Sequence, residues 1–182
     1  MKKFILVLTA IVFTLCYVHA QNYKVTENSY QRVKITFKTP ELQVQEIKTE
    51  QGSFSQLSLD GYYFDGTVGC PKLPVLSSML EIPLCDSVVA TVLNGDYIEY
   101  DASQLGIQYP IMPAQPSYSK SSRGERTFIK DNAVYSTDDF YALPVVHVEK
   151  AGIMRDVNMA DIVFSPIAYN PVTGKVRIYK QA

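Results

Sequence analysis

Histidine and cysteine are scarce in this sequence, and their scarcity limits the chemistry that the chain can perform. The 182 residues include two histidines, three cysteines and no tryptophan, and His147 is the one histidine beyond residue 20. A zinc site needs three or four close ligands, and cysteine catalysis needs a thiolate beside a base. His147 with Cys70 or Cys85 is conceivable, but a histidine on the wet face of a strand is the simpler interpretation. We predict no catalytic residue, no metal site and no cofactor.

Runs of like charge, glycine-rich phosphate loops and sustained helical apolar stripes are also missing. The chain has 17 basic and 18 acidic residues, a formal net charge of −1. Binding to nucleic acid needs a concentrated basic face, so we disfavour that class of partner. Without a 3.6-residue apolar period, an amphipathic-helical fold is excluded as well.

The first twenty residues form a separate unit. A basic start precedes an apolar run of about fifteen residues, Phe4 to Val18, which is shorter than the roughly 20 that a membrane span needs. A small residue, Ala20, stands just before Gln21. We predict a secretory signal peptide over residues 1–20, cleaved between Ala20 and Gln21, which exports a single domain of residues 21–182. An uncleaved membrane anchor is the alternative.

Alternation of apolar and polar residues with a period of two dominates the rest of the chain and predicts antiparallel strands. Asn94-Gly95 favours a type I′ turn, and 170–174 favours a second reversal. The predicted fold is an all-β, antiparallel β-sandwich-like domain. Its candidate strands are 33–37, 42–47 with a bulge at Ile47, 54–59, 62–64, a buried 79–82, a hairpin of 88–93 with 96–100, 145–148, and a closing pair of 160–165 with 176–178.

Two connecting regions have their own composition. Residues 101–105 could form one short turn of helix. Residues 109–125 are rich in proline, serine and glycine, and we expect a long exposed connection, which in a compact domain is usually functional or disordered.

The cysteines and tyrosines leave alternatives open. Outside the reducing cytosol Cys70 and Cys85 could form a disulfide, worth about 3 kcal/mol for a short loop, and two buried free thiols are an equal alternative. Thirteen tyrosines are present, and four of them could line a binding face: Tyr97, Tyr100, Tyr109 and Tyr118. They support a second functional hypothesis, an extracellular adhesion or carbohydrate-binding β-sandwich.

Four motifs in order carry a family resemblance. They are Gly69-Cys70-Pro71-Lys72-Leu73-Pro74-Val75-Leu76, then Leu80-Glu81-Ile82-Pro83-Leu84, then Tyr109-Pro110 with Pro113-Ala114-Gln115-Pro116-Ser117-Tyr118-Ser119-Lys120, and finally Met154-Arg155-Asp156-Val157 with Ser165-Pro166-Ile167-Ala168-Tyr169-Asn170-Pro171-Val172-Thr173-Gly174 and Val176-Arg177-Ile178-Tyr179. This series of motifs resembles the gingipain-type propeptide, the prodomain of clostripain-like bacterial cysteine peptidases. The resemblance covers nearly all of the chain after residue 21.

The resemblance implies a non-catalytic domain that assists folding of a peptidase domain and blocks its active site until it is cut away. The implied partner is the catalytic domain of a gingipain-like cysteine peptidase, in cis or in trans, and the implied location is the periplasm or the exterior of a bacterium. In such families a basic side chain of the prodomain is thought to occupy the specificity pocket, where a guanidinium binds bidentately.

Both acidic and basic residues of this sequence are candidates to enter such a pocket. The segment that we align with the inhibitory loop of the family, 135–141, carries the acids Asp138 and Asp139 and no base. The basic candidates are Lys120, Arg123 and Arg126 in the connection before it. The chain stops at Ala182, where the family would continue into a peptidase domain, so a truncated precursor and a free-standing inhibitor are both open.

Overall fold

A computed structural model of the protein describes residues 22–118 and 127–182. Strands dominate these residues, as predicted, and the all-β fold class is confirmed. The predicted helical turn at 101–105 is a 3₁₀ turn, Ala102–Leu105, and a one-turn helix α1 covers Asn132–Ser136. The strands are β1 (Tyr23–Asn28), β2 (Val33–Phe37), β3 (Leu42–Thr49), β4 (Gly52–Leu59), β5 (Tyr63–Asp65), β6 (Leu73–Ile82), β7 (Tyr97–Asp101), β8 (Tyr141–Ala142), β9 (Val146–Met154), β10 (Val157–Phe164), β11 (Ile167–Tyr169) and β12 (Lys175–Tyr179).

Two four-stranded antiparallel sheets organise the domain. The first has the order β5-β6-β10-β9 and the second has the order β7-β12-β11-β8, while β1-β2 and β3-β4 form separate hairpins. Phe37 of β2 shares one core cluster with Leu76 and Phe164 of the first sheet. Leu57 of β4 shares the other cluster with Leu73 of the first sheet and Val176 of the second. Most strands thus contribute apolar side chains to one of two core clusters.

The chain crosses from one sheet to the other at Ser165-Pro166, which are both buried. This crossing corrects the predicted closing pair of 160–165 with 176–178. β10 pairs with β6 and β9, and the hairpin across the turn at 170–174 joins β11 to β12 instead. The side-chain oxygen of Asn170 accepts bonds from the backbone N–H groups of Val172 (3.0 Å) and Thr173 (3.1 Å), which closes that turn.

The predicted hairpin around Asn94-Gly95 is wrong. Residues 88–96 form no strand, and Val89 and Leu93 are among the exposed apolar side chains. The second half of the predicted hairpin, β7, pairs instead with β12, with Ile98 opposite Ile178. Burial of the β12 side chains against the core therefore outweighs the local turn preference.

Two smaller predictions about strands are also corrected. No bulge occurs at Ile47, since β3 and β4 pair residue for residue from Leu42 opposite Leu59 to Thr49 opposite Gly52. The buried part of β6 is its first half, and Met79 is 54% exposed. Within the described ranges, no helix is long and apolar enough to cross a membrane.

Candidate functional site

The connection predicted to be exposed begins as a buried segment, which we call the incoming arm (residues 110–118). Its backbone is bonded on both sides. The N–H of Met112 donates to Ser55 O of β4 at 2.9 Å, and Met112 O accepts from the N–H of Lys72 at 2.9 Å. Ile111 and Ala114 are buried. The prediction of exposure is therefore wrong for residues 111–114, because these bonds insert the segment between two parts of the core.

The chain returns through the outgoing arm (residues 127–136). Its Phe128 ring lies 5.4 Å from that of Phe54. The Asp131 carboxylate caps α1 by accepting from the N–H of Ala133 at 2.9 Å. The hydroxyl of Tyr135 donates to Ile111 O of the incoming arm at 2.6 Å, and burial raises the pKa of Tyr135. Both arms are thus fixed on the same core.

A turn at Gly69 ties the two arms together. Its N–H donates to Ala114 O at 2.8 Å, and its carbonyl accepts from the N–H of Asp131 at 2.9 Å. Gly69 is buried and has φ +88°, and a Cβ added there would lie 3.1 Å from Asp131 N. Glycine is required at this position because a side chain would be strained and would collide with the outgoing arm.

Gln115, the residue that follows Ala114, also joins the two arms. Its Nε2 donates to Ile129 O at 2.7 Å, and its Oε1 accepts from the N–H of Ile129 at 3.0 Å. The side-chain amide thus pairs with the backbone as a strand residue would. The Tyr118 hydroxyl also contacts Thr127 O, at a longer 3.4 Å. No pattern in the sequence predicts this role for Gln115.

The basic candidates Lys120, Arg123 and Arg126 fall in the segment between the two arms, outside the described residues. The signal-peptide prediction, with its cleavage point at Ala20 and Gln21, also falls outside them.

The acidic candidates lie after α1 and are engaged in local structure. Asp138 accepts a bond from the Nδ2 of buried Asn170 at 2.9 Å. Asp139 accepts from the N–H of Phe140 at 2.7 Å. Asp138 thus attaches this segment to the β11–β12 turn, while the Asp139 bond stays within the segment, and these bonds favour a structural role for both carboxylates.

The two cysteines are free thiols in the structure, Cys70 buried and Cys85 half-buried, which differs from both alternatives left open above. Cys70 precedes β6 and Cys85 follows it, and a ten-residue strand spans about 30 Å. A disulfide requires Cα atoms within roughly 7 Å. Burial raises the pKa of the Cys70 thiol, and the nearby Asp131 raises it further.

His147 lies on the exposed side of β9, with its Nε2 3.7 Å from the Glu149 carboxylate. Cys70 is buried near Asp131 and Tyr141 instead. In the described part of the chain, no three histidine, cysteine or acidic residues form a group that could hold a metal ion.

The four tyrosines of the carbohydrate hypothesis do not form a row. Tyr97 is exposed on the second sheet, edge-to-face with Tyr179 at 5.5 Å, whereas Tyr100 packs against the core cluster on the other face. Tyr109 lies just before the incoming arm, and Tyr118 is its last residue. The exposed row that would favour this hypothesis is therefore not formed by these residues.

These features define a strand-rich domain in which Gly69 and Gln115 bond the incoming arm to the outgoing arm. The family model Propeptide_C25 matches residues 20–182, and the chain belongs to this family. The resemblance drawn from the sequence motifs is thereby confirmed.

Individual relatives agree with this membership. Lys-gingipain of Porphyromonas gingivalis is 29% identical over 154 residues, which cover 84% of this chain and 9% of that protein. Gingipain R1 of the same organism is 26% identical over 165 residues, which cover 88% of this chain and 16% of that protein. The chain therefore spans only a small part of the length of the curated relatives that it matches.

Two solved structures share the fold. One gives structural insight into the zymogenic latency of gingipain K from Porphyromonas gingivalis; it superposes with a TM-score of 0.76 at 25% identity, covering 90% of this chain and 92% of that chain. The other is the complex of Porphyromonas gingivalis RgpB pro- and mature domains, with a TM-score of 0.75 at 22% identity, covering 88% of this chain and 82% of that chain.

Proposed function

We propose that this chain is a non-catalytic prodomain that binds the catalytic domain of a gingipain-like cysteine peptidase and blocks its active site until it is removed. The observation that carries the proposal is the propeptide-family match over residues 20–182. The similarity in fold to a gingipain K structure that concerns zymogenic latency supports it. The matched relatives are peptidases, and the chain covers only the small share of each that corresponds to a propeptide.

The blocking element in this proposal is the segment between the two arms. It contains the three basic candidates Lys120, Arg123 and Arg126. The Gly69 turn supports the assignment because it bonds to Ala114 of the incoming arm and to Asp131 of the outgoing arm, on either side of this segment. A guanidinium or ammonium group there would enter a pocket built for a basic side chain, with a guanidinium making the more complementary contacts.

We further propose that the domain acts outside the cytoplasm. The signal-like pattern over residues 1–20 supports export, and the family match begins at residue 20. Sequencing the amino terminus of the protein recovered from the extracellular or periplasmic fraction tests this proposal. A terminus at Gln21 agrees with it, and a terminus that retains residues 1–20 contradicts it.

Inhibition by the purified chain tests the proposed function. Mature Lys-gingipain and gingipain R1 are assayed with small fluorogenic lysine and arginine substrates at increasing concentrations of the chain. We expect competitive slowing of at least one enzyme. If neither enzyme is slowed at micromolar concentrations of the chain, the proposal is wrong.

Single substitutions then identify the blocking residue. Lys120→Ala, Arg123→Ala and Arg126→Ala are compared with Arg32→Ala, which removes an exposed cation that pairs with Glu27 in the β1–β2 hairpin. Loss of a buried charge pair should weaken inhibition by about tenfold or more, whereas Arg32→Ala should leave it unchanged. If all three variants inhibit like the wild type, the blocking group is not one of these cations.

A further inference from the structure

We infer that Asn94 is a site of spontaneous covalent modification, at which the side-chain amide leaves as ammonia and an aspartyl or isoaspartyl residue is formed. The inference does not depend on the proposed function. Its basis is the Asn94-Gly95 pair, which the sequence marks as a turn and which the structure leaves exposed and outside any strand.

The reaction needs only the chain and water. The backbone nitrogen of Gly95, after losing its proton, attacks the Cγ atom of Asn94 and forms a cyclic imide, while the bond from Cγ to the amide nitrogen breaks and ammonia leaves. Water then opens the imide. Opening at the side-chain carbonyl gives aspartate, and opening at the backbone carbonyl gives isoaspartate, whose main chain runs through the former side chain. No electrons are gained or lost.

The residue after the asparagine decides how readily this attack occurs. The backbone must bend to bring the nitrogen to Cγ, and a Cβ on the following residue obstructs that movement, whereas glycine has no Cβ and the widest choice of backbone angles. The chain has six asparagines, and the other five are followed by tyrosine, serine, alanine, methionine and proline. Asn94 is therefore the asparagine whose neighbour most favours the reaction.

The fold does not restrain this pair. Residues 88–96 belong to no strand or helix, and Asn94 and Gly95 are both exposed. Within the described ranges, no hydrogen bond involves the Asn94 amide or the Gly95 N–H, so neither reacting group has a bond to break first. A Cβ built on Gly95 would have only the Cγ1 of Val92 within 4 Å, at 3.6 Å. The surroundings therefore leave room for the backbone to bend.

Other asparagines are held in ways that oppose the reaction. Asn170 is buried, its Nδ2 donates to Asp138 at 2.9 Å, and the following Pro171 has no N–H to lose. Asn158 lies inside β10, where it is opposite Ile82 of β6 and Ile153 of β9. These two positions serve as internal references within the same molecule.

The modification changes the chain where the two sheets are connected. Residues 83–96 run from β6 of the first sheet to β7 of the second. The new carboxylate lowers the net charge by one unit and stands two positions before Asp96, and isoaspartate also lengthens the main chain by one atom. Because no ladder passes through residues 88–96, the connection should accept this extra atom without the loss of either sheet.

The test follows the purified chain during incubation at neutral and at mildly alkaline pH, with Asn94→Gln and Gly95→Ala as variants. Tandem mass spectrometry of proteolytic peptides locates a gain of one mass unit, and a methyltransferase specific for isoaspartate reports the isoaspartyl product. A synthetic peptide of residues 89–100 is the unrestrained reference. Melting temperature is recorded before and after incubation.

We expect the gain of mass to appear at Asn94 in the native chain at a rate close to that of the peptide. It should be faster at the higher pH, because the attacking nitrogen must lose its proton. Gly95→Ala should lose most of this rate, and Asn94→Gln should lose nearly all of it, since the longer side chain closes the ring far more slowly. Asn158 and Asn170 should keep their amides, and the melting temperature should stay unchanged.

Two results would overturn the inference, and both would leave the proposed function intact. One is a native chain in which Asn94 keeps its amide while the peptide is converted, because the folded connection would then restrain the pair. The other is a rate that is unchanged in Gly95→Ala, because glycine would then not control the attack.

Discussion

Replacing Gly69 by alanine should destabilise the turn that joins the two arms. Gly69 has φ +88°, and an L-residue pays about 1–2 kcal/mol to adopt such a left-handed conformation. The new Cβ would also lie 3.1 Å from Asp131 N and 3.4 Å from the Cγ2 of Ile129. The outgoing arm must therefore move away by a few tenths of an ångström.

The displacement adds to the conformational cost. It weakens the bond from the N–H of Asp131 to Gly69 O, which spans 2.9 Å and contributes about 1 kcal/mol of net stability. The free energy of unfolding should fall by roughly 2–3 kcal/mol in total. In a domain of this size each kcal/mol shifts the melting temperature by about 2–4 °C, so a decrease of roughly 4–12 °C is expected.

Urea and thermal denaturation of Gly69→Ala and Gly106→Ala measure the effect. Gly106 has a similar φ of +75°, but nothing lies within 4 Å of a Cβ added there. Gly106→Ala therefore carries the backbone strain without the collision, and it should be the less destabilised variant. Equal losses in the two variants would refute the argument that close approach of the outgoing arm requires glycine at 69.

Three further predictions follow from other positions. Cys85 should react readily with a thiol reagent in the native protein while Cys70 reacts only on unfolding, because burial raises the Cys70 pKa; equal rates would contradict this. The free energy of unfolding should decline as the pH rises past 10.0, the ordinary tyrosine pKa, because buried Tyr135 keeps its proton in the folded protein and loses it in the unfolded chain. Urea titrations of Tyr135→Phe should show a shallower decline with pH. An unchanged slope would exclude a contribution from Tyr135. Asp156 has φ 66° in the β9–β10 turn, a conformation that glycine adopts more readily than aspartate. Asp156→Gly should therefore raise the free energy of unfolding by about 0.5–1 kcal/mol. A loss of stability would argue against backbone strain at this position.

The sequence predicted strands best where one face of the strand meets the core. Val33, Ile35 and Phe37 alternate with charged or polar residues, and β2 covers this stretch as expected. Pairing between strands was less predictable. Asn94-Gly95 has a strong local preference for a turn, but β7 finds its partner about eighty residues away in β12, and a choice of that kind depends on burial rather than on neighbouring residues.

The candidate site was predicted only in part, for a similar reason. Composition alone marked residues 109–125 as an exposed connection, because proline and serine are typical of loops. The backbone bonds of Met112 that bury the first part come from segments distant in sequence. The role of Gln115 could not be predicted from the sequence either, because no sequence pattern marks a glutamine whose side-chain amide pairs with the backbone of another segment.

The two ends of the described domain are joined directly. The N–H of Phe37 donates to Ala182 O at 2.9 Å, and the N–H of Thr39 donates to Lys180 O at 3.1 Å. Residues 37–39 therefore find part of their backbone pairing in residues 180–182, more than 140 positions further along the chain. Contacts between such distant segments slow folding, so this edge should be among the last parts of the domain to form during refolding.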